Sequence, residues 1–149
     1  MNKVLYIESS PRKVRSHSIG IAKEFLKEYE RRNPKDEIDS LDLWSLDLLP
    51  FNGEVIDTKY RIMHGENVSE GEKSEWNKIV KLFSRFNSAD KYVFSVPMWN
   101  FGIPYILKHY IDLITQPSLA WSFSPAEGYT GLVTGKVAIL YSSGGDYSD

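Results

Sequence analysis

Short apolar runs alternate with amphipathic segments along this chain of 149 residues. Apolar, β-branched and aromatic runs predict strands over residues 4–7, 91–96 and 136–141, and alternating apolar positions predict one over residues 36–43. Apolar residues at helical spacing predict helices over residues 18–31, 70–86 and 105–116. Ser69 is a suitable N-cap for the second helix, and Pro104 suits the first turn of the third.

The succession of strands and helices predicts an α/β fold with a doubly wound, parallel sheet in three layers, α/β/α. We expect the flavodoxin-like strand order, 2-1-3-4 for the four predicted strands, in a single domain over residues 1–149. Residues 52–65 are polar and predicted to be irregular, and residues 117–135 are predicted to form a long connection.

Composition narrows the function classes. With 42% hydrophobic and 13% aromatic residues the chain can bury a core, and a net charge of −2 gives no electrostatic reason to expect nucleic acid or an acidic membrane surface as a partner. The absence of cysteine excludes disulfides and cysteine nucleophiles. His64 and His109 lack metal-ligand spacing, so no metal site is predicted. Neither a signal peptide nor a membrane span is predicted, which favours a soluble, cytoplasmic protein.

The segment after the third predicted strand is a candidate ligand loop. It reads Pro97-Met98-Trp99-Asn100-Phe101-Gly102 and leads directly into the third helix. Ligands in open α/β sheets bind at the carboxyl ends of strands, where this segment lies. A plain strand-to-helix turn punctuated by Gly102 and Pro104 fits the residues equally well.

Two further polar segments follow predicted strands. Ser10, Ser16, His17 and Ser18 lie between the first strand and the first helix, where hydroxyls and free amides suit a phosphate. No GxGxxG or Walker A pattern is present. Ser18 also suits a simple N-cap, and Arg12, Lys13 and Arg15 suit solvated positions. The other segment, Ser142-Ser143-Gly144-Gly145, resembles an ordinary loop by itself, although adjacent glycines permit close approach of a flat ligand.

Taken together, PMWNFGIP, the following LK and the aromatic-Ile-Asp helix resemble the flavin-contacting loop of FMN-dependent NADH-azoreductases and their quinone-reductase relatives. The resemblance implies that FMN is the cofactor. The FMN-binding positions it implies are Ser10, Ser16, His17, Ser18, Pro97, Met98, Trp99, Asn100, Phe101, Gly102, Ser142, Ser143, Gly144 and Gly145. The acceptor-binding positions it implies are Trp99, Trp121 and Phe123.

The resemblance also implies an activity. NADH or NADPH donates electrons, and a quinone or an azo compound accepts them in a ping-pong mechanism, the azo compound being cleaved to amines. No side chain acts as an acid or base, so no catalytic residue is predicted. A homodimer is implied, because the segment around Trp121 reaches a neighbouring subunit in that family. The Trp-Ser-Phe sequence here lacks the arginine of the Phe-Arg-Tyr-like family pattern, which bears on substrate preference.

Two other functions fit the same residues. A flavodoxin-type electron carrier binds FMN without turning over a small substrate, although such carriers tend to be more acidic than this chain. A flavin-free binding module is the other. The chain also ends at residues 147–149, soon after the fourth predicted strand. We therefore expect a fifth strand and its helices to be missing, and the apolar strand at residues 137–140 to have an unpaired edge and a partly uncovered face.

Overall fold

A computed structural model describes residues 1–146. Residues 147–149, the chain end on which the expectation of a missing fifth strand rests, lie outside the described residues. The chain forms two compact units. The first contains residues 1–46, residues 88–108 and the segment from residue 134 onward, and the second contains residues 47–87 and 109–133.

The regular elements follow the predicted rhythm with additions. The strands are β1 (Lys3–Glu8), β2 (Glu37–Asp42), β3 (Lys91–Pro97), β4 (Trp121–Ser124), β5 (Gly128–Gly131) and β6 (Lys136–Ser142). The helices are α1 (His17–Arg32), α2 (Gly53–Met63), α3 (Glu70–Asn87) and α4 (Tyr105–Ile114). Short 3-10 turns occupy Lys13–Arg15 and Leu43–Ser45. In the described part of the chain, no helix combines the length and apolar character needed to cross a membrane.

A parallel sheet forms the centre of the first unit, in the order β2-β1-β3-β6. This confirms the predicted strand order, because β6 is the fourth of the predicted strands. Residues 4–7 of β1 are at most 2% exposed, as expected for a strand covered on both faces. Helix α1 packs on β3 and β6, and Ala22 and Leu26 of α1 join Val4, Tyr6 and Val93 in one core cluster.

Strand β6 lies at one end of this sheet, as the expectation of an unpaired edge requires. Its side chains alternate between two environments. Ala138 and Leu140 pack against the core cluster, whereas Val137, Ile139 and Tyr141 are 57%, 63% and 48% exposed. The strand therefore presents an apolar stripe on one face, as its sequence predicted.

The second unit corrects the prediction that residues 52–65 are irregular. Helix α2 occupies most of that range, and the Asn52 side chain caps it by accepting a hydrogen bond from Val55 N–H at 3.1 Å. Val55 and Thr58 are buried while the surrounding residues are polar, so the apolar stripe is too narrow to stand out in sequence. Ser69 caps α3 as predicted, through reciprocal bonds with Glu72.

Residues 117–135 also contain structure that the sequence did not predict. Strands β4 and β5 pair as an antiparallel hairpin with Trp121 opposite Gly131 and Phe123 opposite Tyr129. Four-residue strands that include glycine and serine give a weak sequence signal, and they occur within a segment rich in turn residues. His109, for which no metal site was predicted, contacts the Leu49 carbonyl through Nε2 at 2.9 Å in the same unit.

Candidate functional site

The segment between β1 and α1 gathers buried hydroxyl groups at the start of a helix. Ser10 is 1% exposed, Ser16 6% and Ser18 0%. The Ser16 and Ser18 hydroxyl oxygens are 3.1 Å apart, and Ser16 Oγ also accepts a hydrogen bond from Ile19 N–H at 3.4 Å. The N-cap of α1 is therefore Ser16, whereas the sequence left Ser18 as a candidate. Because the first amides of a helix have no intrahelical acceptor, this end of α1 offers several donors to an anion.

The basic residues of this segment have different environments. Lys13 has a left-handed backbone, and its ammonium group forms an ion pair with Asp42 at the end of β2 and lies 4.0 Å from Glu8 at the end of β1. Its charge is thus balanced by carboxylates, not simply solvated. Val14, Arg15 and His17 are exposed. An anion at the start of α1 would accordingly meet mainly hydroxyls and backbone amides.

The loop after β3 forms a tight turn with unfavourable backbone angles. Trp99 and Gly102 exchange N–H···O bonds of 2.9 Å in both directions. The two central residues, Asn100 and Phe101, have φ of 48° and 61°. Asparagine tolerates this left-handed region, but it costs a residue such as phenylalanine on the order of 1 kcal/mol. Strain of this kind occurs most often at ligand-binding positions, and the Phe101 side chain is 80% exposed.

The segment after β6 lies beside this turn. Ser142 ends β6 opposite Pro97, and its carbonyl accepts a hydrogen bond from Met98 N–H at 2.7 Å. The Ser143 hydroxyl donates to the Gly145 carbonyl at 2.7 Å, which closes a small turn. Among residues 1–146, a Cβ atom at Gly144 would meet no atom within 4 Å apart from those of its chain neighbours. This glycine therefore borders open space and is not needed for internal packing.

Hydrogen bonds also connect the segment after β1 to strand β3. Ser9 N–H and the Ser9 hydroxyl both donate to the Ser95 carbonyl, at 3.3 and 2.7 Å. Beneath them, the Tyr6 hydroxyl donates to Ser95 Oγ at 3.3 Å. Burial, partly opposed by the bond to Ser95 and reinforced by nearby Glu8, raises the Tyr6 pKa to about 12. Tyr6 therefore remains a neutral structural donor at physiological pH.

The structure thus brings three of the predicted segments to one edge of the sheet. These segments follow the neighbouring strands β1, β3 and β6. Ser9 after β1 is bonded to Ser95 within β3, and Met98 after β3 is bonded to Ser142 at the end of β6. Hydroxyls and helix amides lie at one side of this edge and a strained amide-bearing turn at its centre. Such a set suits a flat ligand with a phosphate tail, so the residues present fit FMN.

Sequence reasoning missed two aromatic residues at this edge. The Trp44 ring lies 6.1 Å from the Trp99 ring and 5.5 Å from the Tyr105 ring, measured between centroids. Trp99 and Tyr105 are 6.5 Å apart. The sequence offers one signal for Trp44, its position directly after the second predicted strand.

The two remaining predicted residues belong to the second unit. Trp121 and Phe123 lie on β4, and both rings contact Tyr129 of β5, with centroids 5.5 and 4.9 Å away. Phe123 is 57% exposed and Tyr129 78% exposed. The hairpin therefore carries an exposed aromatic cluster.

A cavity of about 570 Å³ in the second unit contains none of the predicted site residues. Its lining includes Glu54, Asp57, Glu66 and Glu72, and Arg61 is bonded to Glu72 at 2.6 Å. This carboxylate-rich lining is unsuited to a phosphate. Among residues 1–146, no group of three or more histidine or acidic side chains is arranged to hold a metal ion.

Comparisons with known proteins agree on one family. A family model described as having a flavodoxin-like fold matches residues 2–149. A protein of Desulfotalea psychrophila, named FMN-dependent NADH:quinone oxidoreductase, is 47% identical over 148 residues, which are 99% of this chain and 70% of that relative.

Solved structures give the same result. The azoreductase of Bacillus anthracis strain Sterne superposes with a TM-score of 0.90 at 31% identity, covering 100% of this chain and 72% of that one. An FMN-dependent NADH-azoreductase of Bacillus anthracis strain Ames Ancestor, solved in complex with FMN, gives a TM-score of 0.88 at 26% identity, with coverage of 100% and 72%.

Proposed function

The chain belongs to the flavodoxin-like family of FMN-dependent NADH:quinone oxidoreductases and azoreductases, and we propose that it passes electrons from NADH or NADPH to quinones or azo compounds by a ping-pong mechanism. Membership confirms the resemblance recognised in the sequence and the predicted fold class. The chain is an oxidoreductase. The relatives are named for quinone or azo compounds, so the electron-carrier alternative is not favoured.

One observation carries the proposal. Three segments at the carboxyl ends of the neighbouring strands β1, β3 and β6 offer, in order, buried hydroxyls, a strained turn and a glycine turn. When bound, FMN supplies the two-electron chemistry between the nicotinamide and the acceptor. The chain supplies binding and orientation.

We assign the phosphate to Ser10, Ser16, His17 and Ser18 at the start of α1. The helix dipole and the unpaired amides there favour a negative charge, and the buried hydroxyls of Ser16 and Ser18 add neutral donors. The ring system is assigned to residues 97–102, where Asn100 has a left-handed backbone and is exposed. Residues 142–145 complete the binding edge.

No side chain is assigned an acid or base role. Donor and acceptor would use the same exposed surface in turn, bordered by Trp99, which is why the kinetics are proposed to be ping-pong. Trp121 and Phe123 are assigned to acceptor binding. Azo cleavage to amines would require successive turnovers, each supplied by another nicotinamide.

The proposed assembly is a homodimer. The exposed rings of Phe123 and Tyr129 are the kind of aromatic surface that association buries. Light scattering on the FMN-loaded protein should give twice the chain mass at micromolar concentration, and a monomer would contradict this. We also propose a cytoplasmic location, where NADH is available, and cell fractionation tests it.

Replacing Ser16 and Ser18 with alanine tests the phosphate assignment. Losing two buried hydroxyl donors should weaken FMN binding by about tenfold or more, since each hydrogen bond to a charged group contributes roughly 1.5 to 3 kcal/mol. Riboflavin, which lacks the phosphate, should bind the variant and the wild type equally. Unchanged FMN affinity, measured by quenching of flavin fluorescence, would contradict the assignment.

A further inference from the structure

Trp44 contacts both of the segments to which the two ends of FMN are assigned. Its indole Nε1–H donates to the carbonyl of Ser9, after β1, at 3.0 Å. Its ring meets Trp99, after β3, at 6.1 Å and stands edge-on to Tyr105, at the start of α4, at 5.5 Å. Its own backbone is fixed, because Trp44 N–H donates to Asp42 Oδ1 at 3.1 Å.

The turn that Trp44 supports holds an unfavourable conformation. Asn100 and Phe101 are both left-handed, and the paired bonds between Trp99 and Gly102 close the turn. A strained segment persists when its surroundings restrict the alternatives. The rings of Trp44 and Tyr105 both lie against Trp99, the first residue of the turn, with centroids 6.1 and 6.5 Å away, and they also contact each other.

We infer that Trp44 is a positioning residue that fixes the turn at Trp99–Gly102 relative to the segment after β1. Its consequence for flavin binding rests on the proposed function. A ligand that bridges two segments binds most tightly when their separation is set before it arrives. Trp44 sets that separation with one hydrogen bond and one ring contact.

The packing role is tested without any flavin, by amide hydrogen exchange. In Trp44→Leu the amides of Trp99 and Gly102 should exchange at least about tenfold faster, because an apolar side chain remains but the ring contacts are lost. Trp44→Phe keeps a ring and should stay within about threefold of the wild type. Tyr29→Phe is the matched control, because it removes an α1 hydroxyl that bonds Asp36 near the amino ends of the strands, away from the turn. Equal exchange in Trp44→Leu and the control would overturn the inference.

The consequence for binding is tested by comparing FMN with riboflavin. If Trp44 couples the two segments, Trp44→Leu should weaken the binding of FMN more than the binding of riboflavin. The dissociation constant of riboflavin divided by that of FMN should then fall by about fivefold. Trp44→Phe keeps a ring beside Trp99 but loses the hydrogen bond to Ser9, so it should not restore the ratio, and a restored ratio would contradict coupling through that bond. An equal loss for both flavins would mean general destabilisation and would overturn the coupling. A wild-type protein that binds neither flavin would contradict the proposed function, while hydrogen exchange would still decide the role of Trp44.

Discussion

At the scale of single residues, the Asp36 carboxylate joins several segments near the amino ends of the sheet strands. Asp36 accepts hydrogen bonds from Asn2 N–H at 2.7 Å and from the Tyr29 hydroxyl at 2.5 Å, and it lies 3.3 Å from Lys91 Nζ. These contacts, that of the Asn2 backbone first, hold the Asp36 pKa well below its ordinary value. The group therefore connects the start of the chain, the end of α1 and the start of β3.

Asp36→Asn should make stability less dependent on pH. A depressed folded-state pKa stabilises the protein at pH values above the unfolded pKa of about 3.9, and the contribution is lost as pH falls toward the folded value. The wild type should therefore exceed the variant in urea midpoint at pH 7, and the difference should shrink below about pH 4. Glu28→Gln, at an exposed carboxylate with a lowered pKa, should change little. A difference that is constant with pH would contradict this account.

A side chain added at Gly144 should change ligand binding without changing the stability of the fold. Among the described residues, the Cβ of a valine there would contact only its chain neighbours, so the free energy of unfolding should stay within about 0.5 kcal/mol of the wild type. If FMN occupies the adjoining space, its affinity should fall by about tenfold or more. Calorimetry and flavin titration of the same sample measure both. Undiminished FMN affinity would show that the glycine turn does not contact the cofactor.

At the scale of elements, the four strands of the parallel sheet and the loop after β3 could be predicted because their sequence signals are strong, whereas the short strands β4 and β5 could not. Buried parallel strands need continuous apolar runs, and residues 97–102 combine glycine, proline and aromatic residues in a distinctive order. Helix α2 could not be predicted, since it buries only Val55 and Thr58 and depends on the Asn52 cap. Trp44 was missed because its partners, Ser9, Trp99 and Tyr105, are distant in sequence.

The entry to β6 depends on a glycine that packs closely on β3. A Cβ at Gly135 would lie 3.0 Å from the Asp90 carbonyl and closer still to the ring of Tyr92, which is 2% exposed. That carbonyl is fixed by a hydrogen bond from Lys136 N–H. The backbone cannot move aside without breaking the pairing of β6 with β3.

Gly135→Ala should therefore destabilise the protein by about 1 to 3 kcal/mol, the usual cost of overpacking. Gly20→Ala is the matched control, because a Cβ there meets no atom within 4 Å on an exposed part of α1. It should stabilise the protein by about 0.5 to 1 kcal/mol. Urea denaturation measures the free energy of unfolding of both variants. Equal changes in the two variants would contradict the packing argument.

At the scale of the whole molecule, the predicted FMN residues collect in the first unit, whereas Trp121 and Phe123 belong to the second. Sequence alone placed the first set at strand ends, and the sheet order then made those ends neighbours. Which residues contact the acceptor depends on long-range arrangement, which local sequence patterns do not encode. The resemblance to a family supplied those assignments.

The central claim is that FMN bound at this edge passes electrons from nicotinamide to a quinone. The most direct test adds NADH to the FMN-loaded protein without oxygen and then adds a small naphthoquinone. The yellow flavin absorbance should disappear with NADH and return with the quinone, and steady-state double-reciprocal plots should be parallel. Flavin absorbance that persists in excess NADH and NADPH would contradict the account.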